Sequence, residues 1–264
     1  MSRIGKTFGT LDRPAFVAYL VAGHPDPAGF AAAARAVIDG GADVLEIGMS
    51  FSDPVADGPT IQRAHTRALD RGMTVDRYFE MVREVRRSSE IPIVLMVYCN
   101  TVHRRAVDRF YREARAAGAD GVIVVDMPPE EGGRVVRAAR GNGLDQVFLV
   151  APSTDDARLD RILESAGGFV YLASLLGVTG ARDRLSDDAA RLIARVRPRT
   201  SLPLAVGFGI SRPEHARVLK EAGADGVIVG SAIVKIIEEH AGDPERMARE
   251  VRDFVAGMRE ALGS

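Results

Sequence analysis

The chain has 264 residues, 46% of them hydrophobic and 27% charged, with a formal net charge of -1 and a pI near 6.5. That balance supplies no basic footprint for nucleic acid, and no apolar run approaches the roughly 18 residues of a membrane span. A single cysteine, Cys99, excludes an intrachain disulfide framework and fits a reducing compartment. The opening MSRIGKTFGTL lacks the apolar core of a signal peptide, so a cytoplasmic protein is expected, with no nucleic-acid or membrane partner.

Ile4, Phe8 and Leu11 recur at helical spacing and predict a short amphipathic helix. Phe16 to Val21 is an apolar run ending in Gly23-His24-Pro25, which reads as a strand and a turn. Pro27 to Asp39 is Ala-rich and helical, stopped by Gly40-Gly41. Val44 to Ile47 reads as a second strand. Helices follow over Thr60 to Leu69 and Val75 to Arg87. Ile93 to Tyr98 is a third strand ending at Cys99-Asn100, Ala106 to Ala117 a helix, and Val122 to Val125 a fourth strand ending in Asp126. The rhythm repeats in the second half: helix Gly132 to Arg140, strand Gln146 to Ala151, helix Asp155 to Ser165, strand Phe169 to Ala173. A loop from Ser174 to Arg184 precedes a helix over Asp187 to Arg197. Leu204 to Gly207 is the seventh strand, Pro213 to Ala222 a helix, and Val227 to Val229 the eighth strand. Gly230-Ser231 opens a short extra helix. Met247, Val251, Phe254, Val255, Met258 and Leu262 mark the inner face of the last helix.

Strands alternating with helices imply a parallel sheet. The segments GGADVLEI, AGADGVIV and again AGADGVIV, beginning at Gly40, Ala117 and Ala222, echo one another as cap glycine, tight turn and buried strand. No linker or composition shift divides residues 1–264. The expected architecture is α/β, a single (β/α)8 TIM barrel domain; an open doubly wound sheet is the alternative. In a barrel, chemistry belongs at the C-terminal ends of the strands.

The stretch Asp43 to Gln62, DVLEIGMSFSDPVADGPTIQ, carries the clearest chemical signal. Glu46 lies inside an apolar strand, where an ionised carboxylate without partners costs several kcal/mol or more. Asp53 and Asp57 follow in a loop rich in Gly, Pro and Ser, and Pro59 opens the next helix. A strand, an acid-bearing loop and a helix suit a general acid or base. Competing with that reading are a structural ion pair for Glu46 and ordinary Asp-Gly turn chemistry for Asp57. Other groups at strand ends are Tyr98, Asn100, Asp126 and Tyr171; Asp126 also fits as a cap for the helix that follows. Gly207-Phe208-Gly209 and Gly230-Ser231 end strands seven and eight, where barrels bind phosphate at the start of a short extra helix, and Gly180 in GVTG could close over the same anion. Tight turns alone would also explain these glycines. None of the lysines, Lys6, Lys220 and Lys235, lies on an expected strand, which argues against an imine mechanism. The histidines show no metal-ligand spacing, and no Walker A or GxGxxG motif is present. Carboxylate acid/base chemistry on a phosphorylated small molecule remains.

The motifs LEIGMSFSDPVADGPTIQ, YLASLLGVTGAR, GFGIS and GSAIVKIIE resemble the tryptophan synthase alpha chain family nearly end to end. The resemblance implies a (β/α)8 barrel with an N-terminal helix under its base. It also implies retro-aldol cleavage of indole-3-glycerol phosphate to indole and glyceraldehyde 3-phosphate in tryptophan biosynthesis. Carried over residue by residue, Glu46 matches the catalytic acid/base and Asp57 the second catalytic carboxylate. Gly180, Gly209, Gly230 and Ser231 match the phosphate site, and Ile61, Tyr98, Tyr171, Thr179 and Phe208 the substrate pocket. No cofactor is expected in this chain; pyridoxal phosphate belongs to the beta chain, the partner with which an alpha2beta2 tetramer is implied. The chain departs from the family at Ser50, where proline is usual, at Leu175, and at Val21 and His24. Alternatives are a stand-alone lyase releasing indole, a silent phosphate-binding regulatory subunit, and another phosphosugar enzyme.

Overall fold

Eight strands form in the expected order, and all pair in parallel with their sequence neighbours: β1 (Ala15–Val21), β2 (Val44–Gly48), β3 (Ile93–Val97), β4 (Gly121–Val124), β5 (Asp145–Val150), β6 (Val170–Ala173), β7 (Leu204–Gly207) and β8 (Gly226–Val229). β8 returns to β1, with Ala15 opposite Gly226, and closes the barrel. The computed structural model describes residues 1–263 except Pro129, 174–180 and Phe208; of 181–186 it describes the backbone alone. The helices are α1 (Arg3–Thr10), α2 (Pro27–Asp39), α3 (Pro59–Asp70), α4 (Val75–Ser88), α5 (Cys99–Arg104) and α6 (Val107–Ala117). They continue as α7 (Gly133–Gly141), α8 (Asp156–Ser165), α9 (Ala181–Val196), α10 (Pro213–Glu221), α11 (Ser231–Glu239) and α12 (Pro244–Leu262). Among the described residues no helix is long and apolar enough to cross a membrane.

The strands are apolar on both faces, as a sheet covered by helices requires. Alternate residues divide between two cores. Leu45 and Ile47 pack outward against the helices, while Val17, Val44, Val94 and Ile228 point into the barrel.

Helix α1 lies under the barrel, as expected, although Leu11 caps it instead of continuing it. Ile4 joins the interior cluster from below, and the Phe8 and Phe169 rings lie 5.5 Å apart. This plug explains two glycines at strand starts. A Cβ on Gly121 would stand 2.9 Å from Ile4 Cδ1, and one on Gly226 would stand 3.0 Å from Phe8 Cε1.

The repeated Gly-Ala-Asp segment has a physical role beyond a turn. Gly41, Gly118 and Gly223 have φ of +91°, +95° and +87°, a region that favours glycine. The aspartate after each pins its own strand to the strand before it. Asp43 accepts a hydrogen bond from Phe16 N at 2.7 Å, Asp120 from Ile93 N at 2.9 Å, and Asp225 from Leu204 N at 2.7 Å. An arginine neutralises each one: Arg13 on Asp43, Arg86 with Arg3 on Asp120, and Arg197 on Asp225.

Two boundaries differ from expectation. Cys99 and Asn100 do not end β3; they open α5, whose first N–H, that of Cys99, donates to Asp126 Oδ1 at 2.6 Å. Asp126 therefore caps a helix that precedes it in the chain, not the one that follows. Helix α9 starts at Ala181 in place of the expected loop to Arg184. The residues 181–186 include polar types that read as loop from local composition alone.

The aspartate pins predict an ordered pair of stability losses. Asp120 is 4% exposed and carries two arginines, whereas Asp225 is 39% exposed. Asp120→Ala should cost about 3–5 kcal/mol by removing the acceptor of the buried Ile93 N–H and of the Arg86 and Arg3 guanidiniums, and Asp225→Ala about 1–2 kcal/mol. Urea unfolding at neutral pH measures both. A larger loss at Asp225 would contradict the assignment.

Candidate active site

Period-two alternation carries Glu46 inward, two residues above Val44 and in register with Tyr19 of β1 and Val94 of β3. It is the central residue of β2, two before its C-terminal Gly48, and is fully buried. Neither carboxyl oxygen has a hydrogen-bond partner among the described residues, and no arginine pairs with it. Among the described residues, then, no structural ion pair competes with a chemical role for Glu46. Burial, and secondarily the charge of Asp57, pushes the Glu46 carboxyl from an ordinary value of 4.5 up to about 8.

A cavity of about 210 Å³ opens above the barrel at this point. Its wall brings together Glu46, Asp57, Ile61, Tyr171, Gly209, Gly230 and Ser231, all drawn from the expected site. Gly180, Thr179 and Phe208 lie outside the described residues. Tyr98 does not line the cavity. It stands behind Asp57, donating to Asp57 Oδ2 at 2.7 Å and accepting from Ala56 N at 3.2 Å. Phe51 stacks on Tyr98 with ring centroids 4.7 Å apart. Burial, with the Asp57 carboxylate next, raises the Tyr98 phenol above its ordinary range, which keeps it a donor.

Asp57 also serves the turn that its sequence suggests, its N–H reaching Pro54 O at 3.0 Å. The turn and the carboxylate's orientation are compatible uses of one residue. Ser50, where the family resemblance would place proline, is buried, and its hydroxyl donates to Ala22 O at 3.2 Å. It ties the loop after β2 to the loop after β1.

Several wall residues were not singled out from the sequence: Tyr19, Met96, Gly58, Ile210 and Ile228. Tyr19 and Tyr171 form the floor. A Cβ on Gly48 would lie 2.1 Å from the Tyr19 hydroxyl, and one on Gly207 would lie 2.3 Å from the Tyr171 hydroxyl. The strand-end glycines thus admit the two tyrosine rings. Strand parity was the available signal, since Tyr19 shares the inward face with Val17.

Elsewhere on the same wall the loop after β7 carries Gly209 with φ +70°, and α11 begins at Ser231 after β8. Gly230 caps α11 without a side-chain bond, and its first intrahelical bond runs from Val234 N to Gly230 O at 3.0 Å. The N–H groups before Val234 are left for an anion. Two imidazoles lie close by. His24, after β1, is pushed down to about 4 by burial and then by Arg67, and is held neutral. His65, on α3, is 1% exposed. Among the described residues no cluster of His, Cys, Asp or Glu could hold a metal ion.

This geometry agrees with what comparison with known proteins shows. The family profile of the tryptophan synthase alpha chain matches residues 7–263. The chain is 52% identical over 261 residues to the tryptophan synthase alpha chain of Methanoregula boonei, covering 99% of this chain and 98% of that relative. It is 48% identical to that of Methanothermobacter thermautotrophicus, covering 97% and 95%. Tryptophan synthase subunit alpha from Legionella pneumophila superposes with a TM-score of 0.91 at 38% identity, over 99% and 98% of the two chains. A chain of the tryptophan synthase complex from Pyrococcus furiosus superposes with a TM-score of 0.83 at 39% identity, over 93% and 98%. With a match across nearly its whole length and relatives about half identical, the protein belongs to the tryptophan synthase alpha chain family.

Proposed function

We propose that Glu46 and Asp57 carry out the family's reaction, the retro-aldol cleavage of indole-3-glycerol phosphate to indole and glyceraldehyde 3-phosphate. The observation that carries this assignment is a buried carboxyl, without a hydrogen-bond partner among the described residues, on the wall of a cavity that also holds an uncapped helix start.

The bond to be broken joins indole C3 to the hydroxyl-bearing carbon of the glycerol chain. Glu46, protonated near neutral pH, donates its proton to C3. Positive charge then develops at the indole nitrogen, where the Asp57 carboxylate stabilises it. The Glu46 carboxylate takes the proton of the adjacent hydroxyl. The carbonyl of glyceraldehyde 3-phosphate forms, and the electron pair of the broken carbon–carbon bond returns through C3 to the indole ring. Glu46 ends protonated, as it began. Tyr171 and Ile61 pack on the indole, and Gly209, Gly230, Ser231 and the first turn of α11 hold the phosphate; Gly180, Thr179 and Phe208 complete the pocket in this reading. Fixing the phosphate aligns the reacting bond with Glu46.

We further propose that the chain works in the cytoplasm with a tryptophan synthase beta chain, as two alpha and two beta subunits. In this reading the chain itself needs no cofactor and the beta chain holds pyridoxal phosphate. Family membership supports a beta partner, and so does the likeness to a chain of the Pyrococcus furiosus tryptophan synthase complex.

Glu46→Gln should lower indole release by about 10²–10⁴-fold with little change in KM. An unimpaired rate would refute the assignment. The same variant has a signature in stability. Below about pH 4.5 the wild-type carboxyl is protonated whether folded or not. As pH rises toward about 8 the unfolded chain releases a proton that the fold retains, so stability falls. Glutamine lacks this titration. Thermal melts should show the Tm difference moving in favour of Glu46→Gln between about pH 5 and pH 8.5; a difference independent of pH would contradict the raised carboxyl. Ser231→Asp should raise KM at least about tenfold by setting negative charge against phosphate. An unchanged KM would remove Ser231 from the phosphate site.

A further inference from the structure

His65 presents a chemical group that the reaction above does not use. It lies four residues beyond Ile61 on α3, so both face the barrel mouth from one side of the helix. Its Nε2 stands 3.3 Å from Asp57 Oδ2, with the two side chains 2% and 13% exposed. Neither ring nitrogen makes an aligned hydrogen bond among the described residues. Leaving a buried nitrogen unsatisfied costs about 1–3 kcal/mol, so packing alone does not account for an imidazole here.

The oxygen that His65 faces is the one Tyr98 already donates to, at 2.7 Å. Both groups converge on Oδ2, which leaves Oδ1 for the cavity that Asp57 lines. Hydrogen bonds in unliganded sites are often long and tighten when charge develops. We propose that His65 is a positioning residue for the cleavage: its imidazole, with a hydrogen on Nε2, closes on Asp57 Oδ2 as the indole N–H engages Oδ1. The proton stays on Nε2. Two donors on one oxygen fix the carboxylate's rotation, so its charge faces the indole nitrogen without reorientation. This inference rests on the proposed role of Asp57.

The test measures indole release by the full chain carrying His65→Leu or His65→Gln, each made alone and with Asp57→Asn. His65→Leu should lower kcat about ten- to a hundredfold, with KM within about twofold. His65→Gln, whose amide reaches the Nε2 position, should recover most of the loss. Added to Asp57→Asn, His65→Leu should change kcat less than about twofold, because there is no carboxylate left to orient. Equal fold losses in both backgrounds would make His65 merely structural and overturn the inference. A collapse in Asp57→Asn with His65→Leu near wild type would overturn His65 alone, and an unimpaired Asp57→Asn would overturn the reading beneath it. Nitrogen NMR of the labelled wild-type histidines gives a test independent of any variant's folding. The Nε2–H tautomer is expected at His65, and the Nδ1–H tautomer would overturn the proposal.

Discussion

An acidic side chain kept out of water, with no hydrogen-bond partner among the described residues, is the constraint around which this barrel is arranged. Glu46 owes its place to strand parity: Leu45 and Ile47 must face the helices, so Val44 and Glu46 must face the interior. At the level of Val44 that interior is apolar and filled. One layer higher, Gly48 and Gly207 admit the Tyr19 and Tyr171 rings, and the cavity opens above them. The resulting destabilisation is offset at the other end of the barrel. There the Gly-Ala-Asp turns bind strand to strand, and α1 seals the floor with Ile4 and Phe8. Stability and chemistry are thus segregated to opposite faces of the sheet.

The two carboxyls of the site have separate environments, and their roles differ accordingly. Among the described residues neither Glu46 oxygen accepts a hydrogen bond, and burial favours its protonated form. Asp57 receives the Tyr98 hydroxyl and faces the His65 ring. An acid that can give and retake a proton and a fixed negative charge are what a retro-aldol cleavage of an indole requires. The protein distributes hydrogen-bond donors unequally between the two. The anchor proposed for the distant phosphate is the start of a helix that has no side-chain cap.

Much of this was legible before folding because the signals are local. A carboxylate inside an apolar strand stands out wherever the strand goes, and Gly230-Ser231 before an apolar helix is a short-range pattern. The order of the eight strands followed from the β/α alternation. What was not legible depends on contacts distant in sequence. Asp120 reads as a turn residue until the fold brings Ile93 N, Arg86 and Arg3 to it. Tyr19 reads as core because its hydroxyl matters only where the barrel opens. Tyr98 sits at a strand end, as the pocket assignment requires, yet its rotamer places it behind Asp57, not on the wall. His65 belongs to no motif, and its neighbour is a loop residue whose position is set by Tyr98. Helix α5 was missed because its cap, Asp126, lies on the following strand's loop and not on its own.

The claim on which the account turns is the protonation of one buried carboxyl. Carbon NMR of side-chain-labelled glutamate, with the Glu46 signal assigned by its loss in Glu46→Gln, follows that carboxyl directly in the unliganded wild-type chain. The account predicts a protonated signal at neutral pH that titrates near 8. A Glu46 carboxyl that is already ionised at about pH 5, like an ordinary surface glutamate, would contradict it.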